Sequence, residues 1–464
     1  MAAVAEPNVV PVSDTFIEDC ETPVSAFLKL RGDGPAFLLE SAEQGQRVGR
    51  WSFIGYRPRD VVRWRLQDGG DPYALAADAV SRHRPAQVDG LPPFAGGAVG
   101  FFGFDCVRAV ERLPEPNPDP LGLPDMALML SDVIVAFDHL KHTITILANA
   151  YLDEPGAHDR AQAAIAEVRE RLAAPLARPP AHAPRAEPHF EPNMPRETFE
   201  AMVARIVEYI HAGDAYQVVP SQRWSAPTPV EPFSIYRGLR AVNPSPYMYF
   251  LDFEDFQIVG ASPEPLLTVS GRHVSTRPIA GTRPRGEDDE AIARELLADE
   301  KERAEHVMLV DLGRNDLGRV CEHGSVHVDR LMDVETYSHV IHIVSNVAGT
   351  LKPEVGAVDA LRSVLPAGTL SGAPKIRAIE IIDELEPVKR GAYGGAVGWL
   401  SYAGELDTCI CIRTVVVKDG VAYVQAGGGT VADAKPDYEY EESRAKARGV
   451  VRAIELAATQ GAWP

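Results

Sequence analysis

Two pairs of glutamates in the C-terminal half carry a charge pattern that a divalent cation could use. Glu302 and Glu305 lie three residues apart in one predicted helix, and Glu439 and Glu442 have the same spacing in another. This spacing places both members of a pair on one helix face, where like charges repel unless a cation compensates. Sites built from oxygen ligands alone suit Mg²⁺. An isolated pair of this kind is nevertheless more typical of a solvated acidic face.

Three consecutive glycines, Gly427, Gly428 and Gly429, separate a predicted strand from the last predicted helix. Glycine allows a ligand to approach the backbone closely, and N–H groups near a helix N-terminus attract anions. Taken alone, the glycines are explained more simply by a tight strand–helix connection. Lys446 follows Glu442 by one helical turn and is expected at least to form a surface ion pair with it.

Two further segments combine small or apolar residues with one polar group each. Thr369 and Ser371 lie in a loop of small residues, 365–375, that precedes a predicted helix. We expect these hydroxyls to cap that helix rather than to bind a substrate. Arg413 lies in an apolar segment predicted to be a strand. Its guanidinium requires a carboxylate partner there, which is either a structural salt bridge or a bound substrate.

The overall charge restricts the partners of this chain. It contains 464 residues, with 46 Lys and Arg against 66 Asp and Glu, and a formal net charge of −20. This charge opposes binding to nucleic acid or to an anionic membrane, and an anionic substrate would need a bound cation or a buried arginine. No signal peptide and no bilayer-spanning apolar stretch are recognised, so a cytoplasmic location is expected. The five scattered cysteines do not form a disulfide framework.

The elements that must position these groups follow from the pattern along the chain. Residues 1–172 are predicted to form one folded unit, and the proline-rich stretch 173–195 reads as an extended linker. In the remaining region, 196–464, helices and strands mix without strict alternation, which predicts an α+β fold. The predicted elements there include helices over 196–212, 288–310 and 437–459 and strands over 217–224 and 408–417.

Five motifs occur together in a fixed order in the C-terminal half. They are Pro-Ile-Ala-Gly-Thr at 278–282, Asp-Leu-Gly-Arg-Asn-Asp-Leu at 311–317, the loop 368–375, Tyr-Gly-Gly-Ala at 393–396 and the glycines 427–429. In this combination the chain resembles the chorismate-utilising enzyme family over nearly all of residues 197–460. The resemblance implies an α+β fold of two packed β-sheets with helices on the outside and an N-terminal regulatory domain at 1–172.

The resemblance also implies a role for individual residues. Glu264 would be the general acid that protonates the departing C4 hydroxyl, with a raised pKa, and His342 would assist pyruvate elimination. Gln217 and Thr282 would complete the catalytic group. The implied Mg²⁺ ligands are Glu305 and Glu442, with Glu302 and Glu439 nearby. The implied chorismate-binding residues are Gly281, Thr282, Tyr393, Arg413, Gly427, Gly428, Gly429 and Lys446.

Two positions distinguish members of the family. Ala280 lies where aminodeoxychorismate synthases typically carry a nucleophilic lysine, and Gln217 lies where isochorismate synthases carry a lysine that activates water. The resemblance therefore favours the anthranilate synthase large subunits, which convert chorismate and ammonia to anthranilate and pyruvate in the first step of tryptophan biosynthesis. Two alternatives stay open: an aminodeoxychorismate synthase component I, and a tryptophan sensor without catalytic activity.

Regulation and ammonia supply are further implications of the resemblance. Residues 38–41 and 243–250 are similar to the two halves of the family's tryptophan feedback pocket, with Ser41, Pro246, Tyr247 and Met248 as candidates for binding the inhibitor. No cysteine has the flanking glycines of a glutamine amidotransferase nucleophile. A separate glutamine amidotransferase subunit, anthranilate synthase component II, is therefore the expected partner.

Overall fold

Apolar strand sequences build two large antiparallel sheets in the computed structural model, which describes residues 6–41, 49–177, 185–336 and 340–460. The strands are β1 Val9–Ile17, β2 Ala36–Glu40, β3 Trp51–Tyr56, β4 Asp60–Trp64, β5 Gly97–Phe102, β6 Met126–Ser131, β7 Val133–Asp138, β8 Thr143–Tyr151, β9 Glu191–Pro192, β10 Gln217–Val218, β11 Ser221–Pro227, β12 Tyr247–Asp252, β13 Phe256–Ser262, β14 Pro265–Ser270, β15 His273–Thr276, β16 Ile279–Pro284, β17 His327–Thr336, β18 Val340–Thr350, β19 Gly372–Ala373, β20 Ala396–Ser401, β21 Leu406–Ile410, β22 Thr414–Lys418 and β23 Val421–Gly427.

The described helices are α1 Pro23–Leu30, α2 Pro72–Ser81, α3 Ala157–Ala173, α4 Arg196–Ala212, α5 Pro232–Val242, α6 Asp289–Ala298, α7 Glu300–Gly318, α8 Ala357–Val364, α9 Gly368–Ser371, α10 Lys375–Leu385 and α11 Pro436–Thr459. Most of them cover the outer faces of the sheets, whereas α4 and α10 form a separate apolar cluster with Tyr440 of α11. None of the described helices has the length and apolarity needed to cross a membrane.

The first sheet has the strand order β1-β8-β7-β3-β2-β12-β13-β22-β23-β11-β9, and the second has β16-β18-β15-β14-β21-β20-β5-β6-β4, with β17 on β18. Both sheets cross the boundary that the sequence predicts between 1–172 and 196–464. β2 pairs with β12, placing Leu38 opposite Phe250, and β5 pairs with β20, placing Phe101 opposite Val397. The regions 1–172 and 196–464 therefore share main-chain hydrogen bonding.

Three apolar layers separate the sheets and helices. One layer lies between the two sheets and contains Phe37, Phe101, Tyr249 and Cys409. A second joins the first sheet to α1, α3, α5 and α11, and a third joins the second sheet to α2, α7 and α8. This arrangement confirms the predicted α+β fold with two packed sheets and outer helices. Cys409 belongs to the apolar layer, and no disulfide involves it.

Three predicted elements are wrong in ways that affect the site. The strand predicted over 217–224 is divided into β10 and β11, and β10 pairs with β19 outside the two large sheets. The helix predicted over 288–310 is broken at Asp299, whose carboxylate accepts hydrogen bonds from the N–H groups of Lys301 and Glu302 and so starts α7 anew. The strand predicted over 408–417 is two strands, β21 and β22. Arg413 lies between them with a φ of 52°, a left-handed conformation that a continuous strand does not contain.

The chain crosses from one sheet to the other twice at the same place. β13 belongs to the first sheet and β14 to the second, and residues 263–264 connect them. β21 and β22 make the reverse crossing through residues 411–413. The two crossings run side by side, because β13 pairs with β22 and β14 pairs with β21. They place Glu264 and Arg413 together at the end of the apolar layer between the sheets.

Candidate active site

The two crossings form one wall of a cavity of about 1690 Å³. The other walls come from β16 and β18, from α7, from the glycines that follow β23 and from α11. The sequence-predicted catalytic, chorismate-binding and metal-binding residues all line it: Gln217, Glu264, Gly281, Thr282, Glu302, Glu305, His342, Tyr393, Arg413, Gly427, Gly428, Gly429, Glu439, Glu442 and Lys446. Side chains from widely separated segments therefore share one cavity of mixed polarity.

Glu264 is a half-buried carboxyl group with one hydroxyl partner. Its Oε1 accepts a hydrogen bond from Thr369 Oγ1 at 3.0 Å. Desolvation raises the pKa of Glu264 to about 7, although the Thr369 hydroxyl and the positive charges of Lys446 and Arg413 act in the opposite direction. A carboxyl group with this pKa is largely protonated just below neutral pH and can donate that proton to a leaving group.

The helix-capping role expected for Thr369 and Ser371 is wrong. α10 begins at Lys375 after Pro374, and no side chain caps its N-terminus. The Thr369 hydroxyl is directed at Glu264, and the Ser371 hydroxyl donates to the carbonyl of Ala367 at 2.9 Å. The loop thus serves the cavity wall instead of the helix end. The sequence predicts a cap because hydroxyls that precede a helix commonly cap it.

Arg413 is a desolvated guanidinium at the cavity wall. It donates a hydrogen bond to the carbonyl oxygen of Lys446, and no carboxylate lies within salt-bridge distance of it among the described residues. Burial lowers the pKa of Arg413, although the group stays cationic. Tyr393 lies buried beside it, with a pKa raised to about 12 by burial. The missing structural salt bridge leaves Arg413 suited to a substrate carboxylate.

A β-bulge at Gly281 shapes the opposite wall. The register between β16 and β18 shifts between Ala280 and Thr282, and Gly281 has a φ of 70°, which glycine adopts readily. His342 Nδ1 lies 3.1 Å from the Gly281 carbonyl oxygen and 3.0 Å from Thr282 Oγ1. Because a carbonyl only accepts, Nδ1 carries the proton. Burial lowers the pKa of His342, so the neutral ring has a basic Nε2.

The four glutamates project from α7 and α11 into the same region. Glu302 pairs with Arg283 at 2.7 Å, Glu305 accepts from Gln217 Nε2 at 3.0 Å, and Glu442 pairs with Lys446 at 2.6 Å. The three partners, Arg283, Gln217 and Lys446, lie on β16, β10 and α11. Lys446 also donates to the Gly427 carbonyl oxygen at 3.0 Å, so the expected surface pair is part of the cavity wall.

Glu439 is the least satisfied of the four. Its side chain is buried, and Oε2 has no hydrogen-bond partner among the described residues. Desolvation and the nearby charge of Glu442 raise the pKa of Glu439 to about 7. Desolvation, with a smaller contribution from Glu302, also raises the pKa of Glu305. A cation at this position would relieve both penalties.

The glycine triplet is what lets the carboxylates reach this position. A Cβ atom on Gly428 would lie 2.9 Å from Glu439 Oε2, and one on Gly429 would lie 2.5 Å from Gln217 Nε2. A Cβ atom on Gly427 would lie 2.0 Å from the Pro220 carbonyl oxygen. Side chains at Gly428 and Gly429 would therefore occupy the space of Glu439 and Gln217, whereas one at Gly427 would collide with the backbone of the neighbouring strand.

These residues fit a hard divalent cation. The donors are carboxylate oxygens only, which is the set that Mg²⁺ favours, and Oε2 of Glu439 lacks a partner in the part of the chain that the structure describes. The only three acidic or thiol side chains in the described residues whose ligand atoms lie within 4.8 Å of one another are Glu18, Asp19 and Cys20, at a different surface. Among the described residues, no three of the four glutamates bring their ligand atoms this close together, which leaves room for two of them as direct ligands.

The candidate tryptophan residues lie at the edge between β2 and β12. Ser41 directly follows β2, and its buried hydroxyl has no partner in the described part of the chain. Met248 pairs in register with Glu40, the residue before Ser41, and Tyr247 donates to Asp407 at 3.0 Å. Pro246 lines the large cavity. The two sequence segments thus meet in space, as their resemblance to one pocket requires.

Sequence reasoning missed two side chains that hold the site together. Thr369 was assigned to a helix end, and Arg283, which pairs with Glu302 at 2.7 Å and with Asp299 at 2.9 Å, was not considered. Arg283 directly follows Gly281 and Thr282, so its position next to two predicted binding residues is the one signal that the sequence contains. For Thr369 the sequence contains no signal that separates a cap from a contact to Glu264.

Comparison with known proteins shows the family to which this chain belongs. The family model described as chorismate binding enzyme matches residues 34–452. Anthranilate synthase component 1 of Pseudomonas aeruginosa is 50% identical over 473 residues, covering 97% of this chain and 96% of that protein. The same component of Mycolicibacterium smegmatis is 48% identical, with 99% of this chain and 93% of that protein covered.

Solved structures give the same result. The crystal structure of anthranilate synthase component I from Streptococcus pneumoniae TIGR4 has a TM-score of 0.81 and 40% identity, covering 94% of this chain and 99% of that one. The menaquinone-specific isochorismate synthase of Escherichia coli, at 19% identity and a TM-score of 0.74 over 97% and 95% of the two chains, shares the fold. This chain belongs to the chorismate-binding enzyme family, and its most similar relatives include the anthranilate synthase component 1 proteins.

Two general statements follow from this membership. Enzymes of the family are generally metal-dependent, which agrees with the carboxylate cluster between α7 and α11. The relatives are named as the first component of an enzyme, and that name implies a second, partner component.

The raised pKa of Glu264 can be tested without an activity assay. Because its pKa of about 7 in the folded state exceeds the value in an unfolded chain, the wild-type protein loses stability as pH rises from about 4.5 to 7. Glu264→Gln removes this penalty. Relative to wild type at the same pH, we expect the free energy of unfolding of the variant to increase by about 1–3 kcal/mol more at pH 8 than at pH 5. Denaturant unfolding at the two pH values measures this difference.

The exposed Glu115 provides a matched control, because Glu115→Gln makes the same chemical change away from the cavity. That variant should show no comparable difference between the two pH values. An equal gain of Glu264→Gln at pH 5 and pH 8 would contradict a raised pKa at residue 264.

Proposed function

We propose that this chain is the large subunit of an anthranilate synthase, which converts chorismate and ammonia to anthranilate, pyruvate and water at the first step of tryptophan biosynthesis. The observation that carries the proposal is that Glu264 and Arg413 lie on adjacent sheet crossings and line the same cavity. A proton donor and a desolvated cation face one cavity there, opposite a carboxylate cluster. Chorismate has two carboxylates and one hydroxyl leaving group, and this arrangement provides a complementary group for each.

The carboxylate cluster supports Mg²⁺ as the cation. Glu305 and Glu442 would hold it, with Glu302 and Glu439 nearby, and the unpartnered oxygen of Glu439 favours an added positive charge. When bound, the ion supplies a positive charge for the ring carboxylate of chorismate. Lys446, which contacts both Glu442 and the Gly427 carbonyl, adds a second positive charge on that side.

Arg413 and Tyr393 would bind the enolpyruvyl carboxylate at the other end of the substrate. A guanidinium can donate two parallel hydrogen bonds to a carboxylate, and no protein carboxylate competes for Arg413 in the described residues. Gly281 and Thr282 form the wall against which the ring would lie. These contacts orient the C4 hydroxyl towards Glu264.

In the first step, ammonia forms a bond to C2 while the C4–O bond breaks. Glu264 donates its proton to the departing oxygen, which leaves as water, and the ring double bonds shift. The new ammonium group releases a proton, so the sum of charges is unchanged. Since the Thr369 hydroxyl fixes the Glu264 carboxyl by one hydrogen bond at 3.0 Å, the acid is oriented before the substrate arrives.

In the second step, loss of the C2 proton forms the aromatic ring as the enolpyruvyl group leaves and becomes pyruvate. His342 is placed to assist, because Nδ1–H is held by the Gly281 carbonyl and Nε2 carries the lone pair. The lowered pKa of His342 keeps this nitrogen unprotonated near neutral pH. A protonated imidazole could not accept the proton.

Product choice rests on two side chains that are not amines. Gln217 is buried, and its amide donates to Glu305, so it holds a metal-binding carboxylate instead of activating water. Ala280 lines the cavity and offers no nucleophile. Ammonia is then the incoming nucleophile. A separate glutamine amidotransferase subunit would release it from glutamine, because four of the five cysteines are buried and none has flanking glycines.

The proposal predicts a specific pattern of activity for the purified chain. Chorismate, ammonium and Mg²⁺ together should give anthranilate, which is followed by its fluorescence, whereas glutamine in place of ammonium should give none until the partner subunit is added. Chelation of the metal should abolish turnover. Formation of isochorismate or aminodeoxychorismate, with no anthranilate, would refute the proposal.

Substitution of the carboxylates refines this assay. Glu442→Gln should lower metal-dependent kcat at least 100-fold, because a carboxylate beside the ring carboxylate's cation would be lost. Glu441→Gln is the matched control, since Glu441 is the adjacent residue of α11 and pairs with Arg444 and Arg196 at the surface. Its kcat should stay within twofold of wild type. Equal activity of both variants would remove Glu442 from the metal site.

Feedback inhibition by tryptophan is a second part of the proposed function. Ser41, Pro246, Tyr247 and Met248 would form the inhibitor site at the edge between β2 and β12. The Ser41 hydroxyl, which has no partner among the described residues, supports this assignment, because a buried hydroxyl without a partner favours a polar ligand group. The same loop that contains Pro246 lines the catalytic cavity, which offers a physical connection between the two sites.

Ser41→Ala should weaken tryptophan binding roughly tenfold, the loss expected for one hydrogen bond to a charged ligand group, as measured by isothermal titration calorimetry. Turnover without tryptophan should be unchanged. Ser131 has a second buried hydroxyl without a partner, on β6 of the other sheet, so Ser131→Ala is the matched control and should leave tryptophan binding intact. Equal binding by the Ser41 variant and wild type would exclude the hydroxyl as a ligand.

A further inference from the structure

A buried ion pair behind the cavity joins two segments of its wall. Arg390 and Glu386 are 3% and 4% exposed, and their side chains form two hydrogen bonds, Nε to Oε2 at 2.9 Å and Nη2 to Oε1 at 2.5 Å. Neither residue lines the cavity. The Arg390 guanidinium packs over the ring of Phe104 at 4.6 Å, which fixes its plane.

The remaining donors of Arg390 are directed at two backbone carbonyls. Nη1 donates to Leu370 at 2.6 Å and Nη2 donates to Val219 at 2.6 Å. Glu386 Oε1 in turn accepts from the N–H and the hydroxyl of Ser221 at 2.8 and 2.9 Å. One planar guanidinium therefore fixes the distance between the segments 217–221 and 368–373.

Each of these two segments holds one carboxyl group of the cavity wall. The first contains Gln217, which binds Glu305 at 3.0 Å, and the second contains Thr369, which binds Glu264 at 3.0 Å. Leu370 is the neighbour of Thr369, and Val219 lies two residues from Gln217. Direct pairing between the segments is limited to the two-residue ladder of β10 and β19 and the bond from the Val219 N–H to the Ser371 carbonyl.

We propose that Arg390 and Glu386 are positioning residues that align the proton donor Glu264 with the metal-binding carboxylate Glu305, acting through Thr369 and Gln217. The inference rests on the proposed function for the meaning of that alignment. Arg390 suits the task because its donors have fixed directions and lie in one plane, whereas a lysine ammonium cannot reach two carbonyls and a carboxylate in the same geometry. The pair also lies against Tyr393, whose ring is 5.7 Å from the Arg390 guanidinium carbon.

Arg390→Lys tests the proposal. We expect kcat for anthranilate formation from ammonium to fall at least tenfold. The groups that face Glu264 are the Thr369 hydroxyl and the cations Lys446 and Arg413. Loss of the Thr369 hydrogen bond with both cations in place should raise the pKa of Glu264, because this hydrogen bond lowers it. The alkaline limb of the kcat profile should therefore shift to higher pH in Arg390→Lys, as it should in Thr369→Val. The shift in the double variant should be no larger than in either single one.

Amide hydrogen exchange provides a readout that does not depend on activity. In Arg390→Lys, exchange should become faster in the peptides that cover 217–222 and 368–373 and stay unchanged in α11. Lys389→Met is the matched control, because Lys389 also forms a buried ion pair, with Asp125 at 2.7 Å, but donates to neither cavity segment. This control should retain the exchange rates of both peptides and the pH profile of wild type, whatever its melting temperature.

Several results would overturn the proposal. Wild-type kcat and exchange in Arg390→Lys would do so, as would equal losses of kcat in Arg390→Lys and Lys389→Met. If Arg390→Lys does not fold, Glu386→Gln is the milder variant, since its amide oxygen still accepts from Ser221, and it should show smaller changes in the same direction. If the wild-type chain forms no anthranilate, the proposed function fails, and the exchange experiment alone still decides whether the pair holds the two segments.

Discussion

The structure depends on two neighbouring chain crossings between its sheets. β13 and β22 pair in the first sheet, β14 and β21 pair in the second, and the short connections leave the first ladder and enter the second side by side. The backbone at each crossing stays hydrogen-bonded to the neighbouring strand, because the Glu264 carbonyl accepts from the Ile410 N–H and the Arg413 carbonyl accepts from the Ala261 N–H. The side chains of Glu264 and Arg413 line the cavity, so the adjacent crossings bring a carboxyl group with a raised pKa and a desolvated cation together.

The rest of the cavity compensates for the charges that this arrangement brings together. Arg283, Gln217 and Lys446 each hold one of the glutamates from α7 and α11, and Glu439 keeps an oxygen for which the described residues provide no partner. Carboxylates kept close together without full neutralisation cost stability. A bound cation and an anionic substrate would together offset these charges. The same cation would allow a chain with a net charge of −20 to bind a dianion.

Much of the site could be predicted from the sequence, because motif order identifies the family even where single motifs are ambiguous. The glutamate pairs, Arg413 and the glycine triplet all line the cavity as expected. The errors have local physical causes. Asp299 breaks a helix that composition alone extends, and Arg413 adopts a left-handed conformation within an apolar run. Contacts such as Thr369 to Glu264 join residues 105 positions apart, and no local pattern encodes them.

The central claim is that chorismate binds between a cation on the α7 and α11 carboxylates and the Arg413 guanidinium, with its C4 hydroxyl at residue 264. A crystal structure of the Glu264→Gln variant with chorismate and Mn²⁺ tests it most directly, because manganese is located by its anomalous scattering. The account predicts one strong anomalous peak beside Glu305 and Glu442, the ring carboxylate next to it and the enolpyruvyl carboxylate on Arg413. A metal peak only at Glu18, Asp19 and Cys20, or chorismate bound with its C4 hydroxyl away from residue 264, would contradict it.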